Sequence, residues 1–343
     1  MTEACGEPPA DNTGAGLLDL PAAADVFAAA ERIAGRIHRT PLIASSSLNG
    51  LLGADLYFKC EHLQKVGAFK ARGAANAVSQ VPAGTKIVAT HSSGNHGAAL
   101  AWAAAEQGLR CKVVMPENAP EVKKSAVAAY GAEIVFCEPT LQARESTLED
   151  LVQSCGAHVV PPFDDARIIA GQGTVAQEIV GQCRALGFVP DLIVAPVGGG
   201  GLLAGVGLAA SALAPEIKVL GAEPAGADDA QRSFRSGTRV TELVPDTIAD
   251  GLRTTLGVRN FALIRTCVND VVTVSEAAIG EALVLLWRRT KQFVEPSAAV
   301  GLAAVMEHPA RFRNKRAVIV LTGGNVDIAA AAGFVSGHHQ SMK

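Results

Sequence analysis

A run of four glycines directly after an apolar segment is the strongest chemical signal in this sequence. The segment VAPV ends at Val197 and is followed by Gly198, Gly199, Gly200 and Gly201. Glycines that open a helix let several backbone N–H groups point at one anion, so the pattern predicts a phosphate site. The alternative is a flexible turn. No Lys-Ser or Lys-Thr pair closes the loop as in a P-loop, and the dinucleotide GxGxxG pattern is a weak match.

Three other segments carry side chains that could bind or react with a small molecule. GAFKARGA contains Phe69, Lys70 and Arg72 at the predicted start of a helix. THSSGNHG places hydroxyl, amide and imidazole groups at the end of a strand, where free helix N–H groups suit a carboxylate. VLTGGNVDI ends a strand with a hydroxyl residue, Thr322, and two glycines. The ordinary structural alternatives are a solvated lysine, an N-cap and a strand-to-helix turn.

Strands and helices must hold these segments, and the sequence predicts both. Short β-rich runs alternate with Ala-rich stretches whose apolar residues recur at helical spacing; the runs are KIVATHS, CKVVMP, EIVFCE, DLIVAPV, KVLGAEP and AVIVLTGG. This alternation predicts an α/β fold with two open, mainly parallel sheets flanked by helices. One group of units spans residues 86–160 and another starts near residue 190. Ligands of such sheets bind beyond the carboxyl ends of the strands.

Composition excludes several classes of protein. The chain has 343 residues with 49% hydrophobic side chains, enough for a sizeable core and about two domains. A net charge of -3 with both signs spread along the chain gives no footprint for nucleic acid, so we expect a small-molecule partner. No apolar run reaches the roughly 20 residues that span a membrane.

Residues 1–15 lack a signal-peptide pattern and are expected to be disordered. Seven cysteines without a CxxC pair are expected to be reduced thiols, which predicts a cytoplasmic protein.

In this order and spacing, FKARGA, SSGNHG, the four glycines and LTGGNVD resemble the fold type II pyridoxal-phosphate enzymes, and among them the serine racemase and serine/threonine dehydratase family. The resemblance covers residues 25–335 and includes HRTPL, FDDARIIAGQGT, GAEPAGADDA, IADGLRTT and EPSAAVG. It implies a tryptophan synthase β-like fold and an ammonia-lyase that converts L-serine or L-threonine to a 2-oxo acid, with serine racemisation left open. Cysteine-synthase-like relatives carry threonine where this chain has His96, which disfavours β-replacement.

The resemblance also implies how the cofactor is bound. Lys70 would hold pyridoxal phosphate covalently and act as general base, while Phe69 would pack against the pyridine ring. Asn95 would hydrogen-bond the ring hydroxyl, and Thr322 would face the ring nitrogen. The phosphate would rest on Gly198, Gly199, Gly200, Gly201 and Leu202. A neutral hydroxyl cannot stabilise a protonated pyridinium as a carboxylate would, which suits elimination or proton exchange at the α-carbon.

Substrate contacts are implied for two groups of residues. Those that would hold the substrate carboxylate are Ser92, Ser93, Asn95 and His96. Ser93 would also be catalytic, because racemases of this family use a serine there to exchange a proton on the face opposite the lysine. Relatives that dehydrate 3-hydroxyaspartate share SSGNH, so the match does not prove racemisation.

Arg144 and Thr254 match residues near the distal end of the substrate. A guanidinium there would pair with a second carboxylate, which keeps threo-3-hydroxyaspartate open as a substrate. A solvated arginine on a helix is the alternative.

The resemblance further implies a cation site, a domain division and an oligomer. Glu223, the carbonyl of Ala227 and Asp229 would bind Mg²⁺ or Ca²⁺ in a structural role, where solvated loop acids are the alternative. Residues 1–80 and 161–343 would form a large cofactor-binding domain and residues 81–160 a small one. A homodimer is expected. Two rival classes are a non-catalytic ligand-binding protein on the same scaffold and a nicotinamide oxidoreductase, which the poor fingerprint disfavours.

Overall fold

The computed structural model describes residues 18–92, 94–119, 121–329, 331 and 333. Its strands form two separate sheets. The strands of the larger sheet are β1 (Leu42–Ala44), β2 (Asp55–Lys59), β7 (Leu192–Pro196), β8 (Lys218–Pro224), β9 (Asp270–Val274) and β10 (Arg316–Val320). The strands of the smaller sheet are β3 (Ile87–His91), β4 (Arg110–Pro116), β5 (Glu133–Cys137) and β6 (His158–Val159).

Strand pairing in both sheets is almost entirely parallel. The six-stranded sheet has the order β1-β2-β10-β7-β8-β9 and the four-stranded sheet the order β5-β4-β3-β6. Only β1 and β2 pair in antiparallel fashion among these strands. The predicted α/β fold with two open, mainly parallel sheets is confirmed. The smaller sheet lies within the predicted small domain, whose exact boundaries stay a prediction.

Helices surround both sheets. They are α1 (Ala23–Ile33), α2 (Ser46–Leu52), α3 (Lys70–Val78), α4 (Asn95–Glu106), α5 (Glu121–Ala129), α6 (Leu141–Cys155), α7 (Ala166–Ala185), α8 (Gly201–Leu213), α9 (Asp229–Ser236), α10 (Val258–Cys267), α11 (Glu276–Leu285), α12 (Pro296–Glu307) and α13 (Pro309–Phe312). Short 3-10 turns cover Glu61–Leu63, Lys65–Gly67, Ala225–Ala227 and Asp250–Leu252, and a π-helical turn covers Leu286–Thr290. In the part of the chain that the structure describes, no helix has the length and apolar character to cross a membrane. The predicted disorder of residues 1–15 falls outside the described residues.

The central strands of the larger sheet are buried on both faces. In β10, Ala317 and Ile319 pack with α11 and α12, while Val318 and Val320 pack on the other side with α1, α7 and α8. Continuous apolar runs of this kind are typical of parallel strands covered by helices on both sides. Packing from two sides fixes the carboxyl ends of β7 and β10, from which the glycine run and Thr322 follow directly.

Candidate active site

Lys70 is the first residue of α3 and lies beside the end of β10. The preceding residue, Phe69, donates its backbone N–H to the carbonyl of Thr322 at 3.0 Å, which ties the start of α3 to the exit of β10. The Nζ of Lys70 donates to the carbonyl of Pro162 at 2.8 Å and lies 5.1 Å from the centre of the Phe69 ring. Burial lowers the pKa of Lys70 to about 8, because an uncharged amine is favoured where water is excluded.

A buried cluster of charges holds α3 in place. Arg72 and Glu61 are both fully buried, and the guanidinium donates to both carboxylate oxygens of Glu61 at 2.7 Å. It also donates to Glu178 on α7 at 2.7 Å, and Glu178 accepts from Lys59 of β2 at 2.6 Å. Two-pronged arginine–carboxylate pairs fix geometry strongly. The cluster therefore attaches α3, the helix that begins with Lys70, to β2 and α7.

The glycine run forms a tight turn between β7 and α8. Gly200 has a φ of 91°, which favours glycine, and a Cβ at Gly199 would lie 2.4 Å from the Phe163 ring. The carbonyl of Gly199 accepts from Asn260 Nδ2 at 2.5 Å and from the backbone N–H of Gly257 at 3.1 Å. None of the described residues accepts a hydrogen bond from the N–H groups of Gly198, Gly199 or Gly200. These free N–H groups at a helix start fit a phosphate.

Asn95 and Thr322 lie near each other at the centre of the site. Asn95, the first residue of α4, donates from Nδ2 to both oxygens of Glu295 at 2.9 and 3.2 Å. A Cβ at Gly323 would lie 3.0 Å from that same nitrogen. The hydroxyl of Thr322 is buried and has no hydrogen-bond partner among the described residues. A buried hydroxyl without a hydrogen-bond partner is costly unless a ligand supplies that partner, and a pyridine nitrogen would do so.

Glu295 is a site residue that the sequence analysis missed. It lies 5% exposed at the start of α12, and burial, followed by the charge of Asp250, raises its pKa to about 7. The segment EPSAAVG was noted only as part of the resemblance. An acid directly before a proline that opens a helix was the available signal.

The start of α4 and the end of β3 form the expected carboxylate-binding region. The hydroxyl of Ser92 accepts from the N–H of Gly94 at 3.3 Å. Ser93 lies outside the described residues. His96 is buried with Nε2 3.1 Å from the carbonyl of Val160, and burial followed by the charge of Lys70 lowers its pKa to about 3. The imidazole is thus neutral, with the Nε2 proton directed at Val160.

Arg144 reaches the same edge of the smaller sheet. It lies on α6, and its charge is the second cause, after burial, that lowers the pKa of His91 at the end of β3. The guanidinium donates from Nε to the carbonyl of Thr140 at 3.3 Å. Thr254 is exposed, in a segment whose Leu252 contacts Gly198. The expected contacts of Arg144 and Thr254 with the substrate stay predictions.

Glu223 lies near the end of β8, and Asp229 opens α9 shortly after it. Burial, more than any other factor, raises the pKa of Glu223 to about 9 and that of Asp229 to about 6. Ala227 is buried in the turn between them. The described residues contain no cluster of three or more His, Cys, Asp or Glu side chains suited to a metal. Glu223 accepts from the backbone N–H groups of Ala230 and Gln231, and Asp229 accepts from that of Leu256, so the expected cation at these residues stays a prediction.

Comparisons with known proteins agree on one family. Residues 33–323 match the family model described as "Pyridoxal-phosphate dependent enzyme". A β-hydroxyaspartate dehydratase from Paracoccus denitrificans is 45% identical, over 90% of this chain and 98% of its own. The solved serine racemase of Dictyostelium discoideum is 44% identical with a TM-score of 0.84, covering 90% of this chain and 99% of that one. The T.th. threonine deaminase structure is 47% identical with a TM-score of 0.87, at the same 90% and 99% coverage.

Proposed function

Because this chain belongs to the family of pyridoxal-phosphate dependent enzymes, we propose that it converts L-serine and L-threonine to 2-oxo acids and ammonia and also racemises serine. The observation that carries most weight is Thr322, whose buried hydroxyl has no partner among the described residues. A hydroxyl in this position leaves the pyridine nitrogen unprotonated, which favours elimination and proton exchange over chemistry that needs a strong electron sink.

The residues present fit the cofactor. Lys70 supplies the covalent amine, Phe69 the ring contact, Asn95 a donor for the ring hydroxyl and Thr322 a donor for the ring nitrogen. The phosphate-binding backbone N–H groups are those of Gly198, Gly199, Gly200, Gly201 and Leu202. When bound, pyridoxal phosphate supplies the conjugated system that accepts negative charge from the α-carbon.

Lys70 moves the α-proton. Its low pKa, caused by burial, leaves a useful fraction of free amine near neutral pH, as a general base requires. The carbonyl of Pro162, 2.8 Å from Nζ, orients that amine. The β-hydroxyl takes up a proton and leaves as water, and hydrolysis of the released enamine by a second water gives the 2-oxo acid and ammonia. Ser93 is proposed as the proton donor and acceptor on the opposite face, which racemisation needs.

The start of α4 binds the substrate carboxylate. Asn95 and His96 contribute backbone N–H groups at the start of α4, and Ser92 contributes a hydroxyl. These groups are suited to an anion, and Ser93 is proposed to join them. The neutral ring of His96 forms the buried wall behind them.

A second candidate substrate is threo-3-hydroxyaspartate. Arg144 lies beside His91, at the edge where the far end of a substrate would project. A guanidinium there would pair with a second carboxylate, and Thr254 would contribute a hydroxyl nearby. One of the most similar relatives is a β-hydroxyaspartate dehydratase.

A substrate panel tests both candidates. L-serine, D-serine, L-threonine and threo-3-hydroxyaspartate are supplied to purified enzyme with pyridoxal phosphate, and oxo acid and enantiomer are both measured. Lys70→Ala should abolish every activity, and Ser93→Ala should abolish only interconversion of enantiomers. Arg144→Ala should lower the rate for 3-hydroxyaspartate selectively. A coloured protein that forms no oxo acid and no D-enantiomer would instead indicate a ligand-binding protein.

We further propose a structural Mg²⁺ or Ca²⁺ bound by Glu223, the carbonyl of Ala227 and Asp229. A cation would offset the repulsion of two buried carboxylates. Chelation should lower the melting temperature and Mg²⁺ or Ca²⁺ should restore it, whereas an unchanged melting temperature would refute the site.

We also propose a cytoplasmic homodimer. The cysteines described are free thiols, in keeping with a reducing compartment.

A further inference from the structure

Glu295 joins the two sheets at the centre of the site. Its partner Asn95 lies 200 positions away, on the helix that follows β3 of the smaller sheet, whereas Glu295 opens a helix of the larger sheet. The backbone N–H of Glu295 donates to the carbonyl of Gly323 at 3.0 Å, directly after Thr322. The carboxylate itself contacts Asn95, and its Oε1 would lie 2.6 Å from a Cβ at Gly323, so it lies beside both Asn95 and the residue that follows Thr322.

The amide of Asn95 is fixed in one orientation by its neighbours. An ionised carboxylate only accepts hydrogen bonds, so the Asn95 nitrogen must face Glu295. On the other side, Asn325 Nδ2 donates to Asn95 Oδ1 at 2.8 Å. Because an amide nitrogen carries two hydrogens, one can bind Glu295 while the other stays available to a ligand.

The charges near Glu295 leave it without a direct cationic partner. The charged side chains that face it are Asp250, in the turn Asp250–Leu252, and Lys123 on α5. Lys123 forms an ion pair with Asp250 rather than with Glu295. Burial and Asp250 raise the pKa of Glu295 to about 7, so near neutral pH its charge is poised to respond to its surroundings.

We propose that Glu295 is a positioning residue, which holds the Asn95 amide toward the ring hydroxyl of pyridoxal phosphate and places a carboxylate charge beside that hydroxyl. The inference rests on the proposed function, since it needs the cofactor in this site. A nearby negative charge stabilises protonated forms of its neighbours. Glu295 would thus raise the pKa of the group that titrates beside the ring hydroxyl of the cofactor.

The test is an absorbance titration of holoenzyme without substrate. Glu295→Gln retains an oxygen that can accept from Asn95 but removes the charge, so the midpoint of the pH-dependent band should fall by about one unit. Glu295→Ala removes both features and should also weaken cofactor retention, measured by fluorescence during dialysis. The matched control is Glu281→Gln, at an exposed position of α11.

The outcomes separate this inference from the proposed function. If the wild-type protein binds no pyridoxal phosphate, the proposed function fails. If the wild-type protein binds it and Glu295→Gln titrates with the same midpoint as wild type and Glu281→Gln, the role of Glu295 is refuted. Circular dichroism shows whether Glu295→Ala folds. If the Ala variant does not fold, the titration of Glu295→Gln alone decides the role of Glu295.

Discussion

The reactivity of Lys70 follows from what surrounds its amine. The amine donates to a neutral group, the carbonyl of Pro162, and none of the ion pairs among the described residues includes Lys70. Lys59 is completely buried, whereas Lys70 is partly exposed, and Lys59 pairs with Glu178 at 2.6 Å. The contrast separates a structural lysine, kept charged by a partner, from one that can lose its proton.

The pH dependence of cofactor capture should report the pKa of Lys70. Only the free amine attacks an aldehyde, so the rate of pyridoxal-phosphate capture by apoenzyme should rise with pH around a midpoint of about 8. Below that pH the rate should fall about tenfold per unit. Stopped-flow absorbance measures the rate of capture at each pH. A midpoint near 10.5, the ordinary value for lysine, would contradict the assigned environment.

Thr322→Val should affect stability and cofactor affinity in opposite directions. Removing an unpartnered buried hydroxyl should stabilise the apoenzyme by about 1 kcal/mol, since such a group costs about 1–3 kcal/mol. The same change removes a hydrogen bond to the ring nitrogen and should raise the cofactor Kd about fivefold to tenfold. Urea unfolding and fluorescence titration measure the two effects.

Thr174→Val is the matched control for that prediction. Its buried hydroxyl donates to the carbonyl of Gly171 at 2.7 Å and accepts from Arg72 at 3.2 Å. This substitution should therefore destabilise the protein. If both valine variants lose stability equally, the Thr322 hydroxyl has a partner in the apoenzyme.

Sequence reasoning identified the residues whose function is visible in a continuous segment. The glycine run and the Lys70 segment are of this kind, because phosphate binding and the covalent amine each depend on adjacent residues. Glu295 and Asn260 were missed because each acts through a distant partner. Asn260 binds the glycine turn across 61 positions, and Glu295 meets Asn95 across 200.

At the scale of elements, α3 owes its position to buried charge rather than to apolar packing alone. Arg72 lies two residues after Lys70 and binds Glu61 and Glu178 from two other segments. Loss of one partner of a buried pair leaves the other charged and without compensation, which is expensive.

Arg72→Met should therefore lower the free energy of unfolding by about 3–5 kcal/mol. The control is Arg232→Met, which breaks an exposed pair with Asp228, where Arg232 is 47% exposed. That change should cost at most about 1 kcal/mol. Urea denaturation compares them, and similar midpoints for the two variants would show that the buried cluster contributes no more than a surface pair.

The strands predicted from sequence were those with long apolar runs. β3, β4, β5, β7, β8 and β10 all correspond to such runs. The sequence analysis assigned no strand to β1, β2, β6 or β9. β6 has two residues and β1 three, too short for a recognisable pattern, and β2 forms through its pairing with β10, far along the chain.

At the scale of the whole molecule, a small apolar patch lies near the site. Leu63 is 48% and Phe293 46% exposed, and the preceding residues, His62 and Gln292, are joined by a 2.8 Å hydrogen bond. Exposed apolar surface of this kind is one place where a second chain could pack. This patch supports the proposed homodimer.

Leu63→Glu with Phe293→Glu should halve the mass measured by sedimentation, because buried like charges would repel across the contact. Leu186→Glu, at a side chain that is 60% exposed elsewhere, should leave the mass unchanged. A monomeric wild-type protein, or a double variant of wild-type mass, would contradict the assignment.

The parallel pairing of β2 with β10 constrains the order in which the molecule is made. Residues 55–59 leave the ribosome long before residues 316–320, which lie between β2 and β7 in the finished sheet. The four strands of the smaller sheet, all within residues 87–159, are complete much earlier. A nascent chain can pair β2 with β1, but it must keep the other edge of β2 unpaired until residues 316–320 have been made. Because Thr322 follows β10, the cofactor pocket is completed only after that strand has been made.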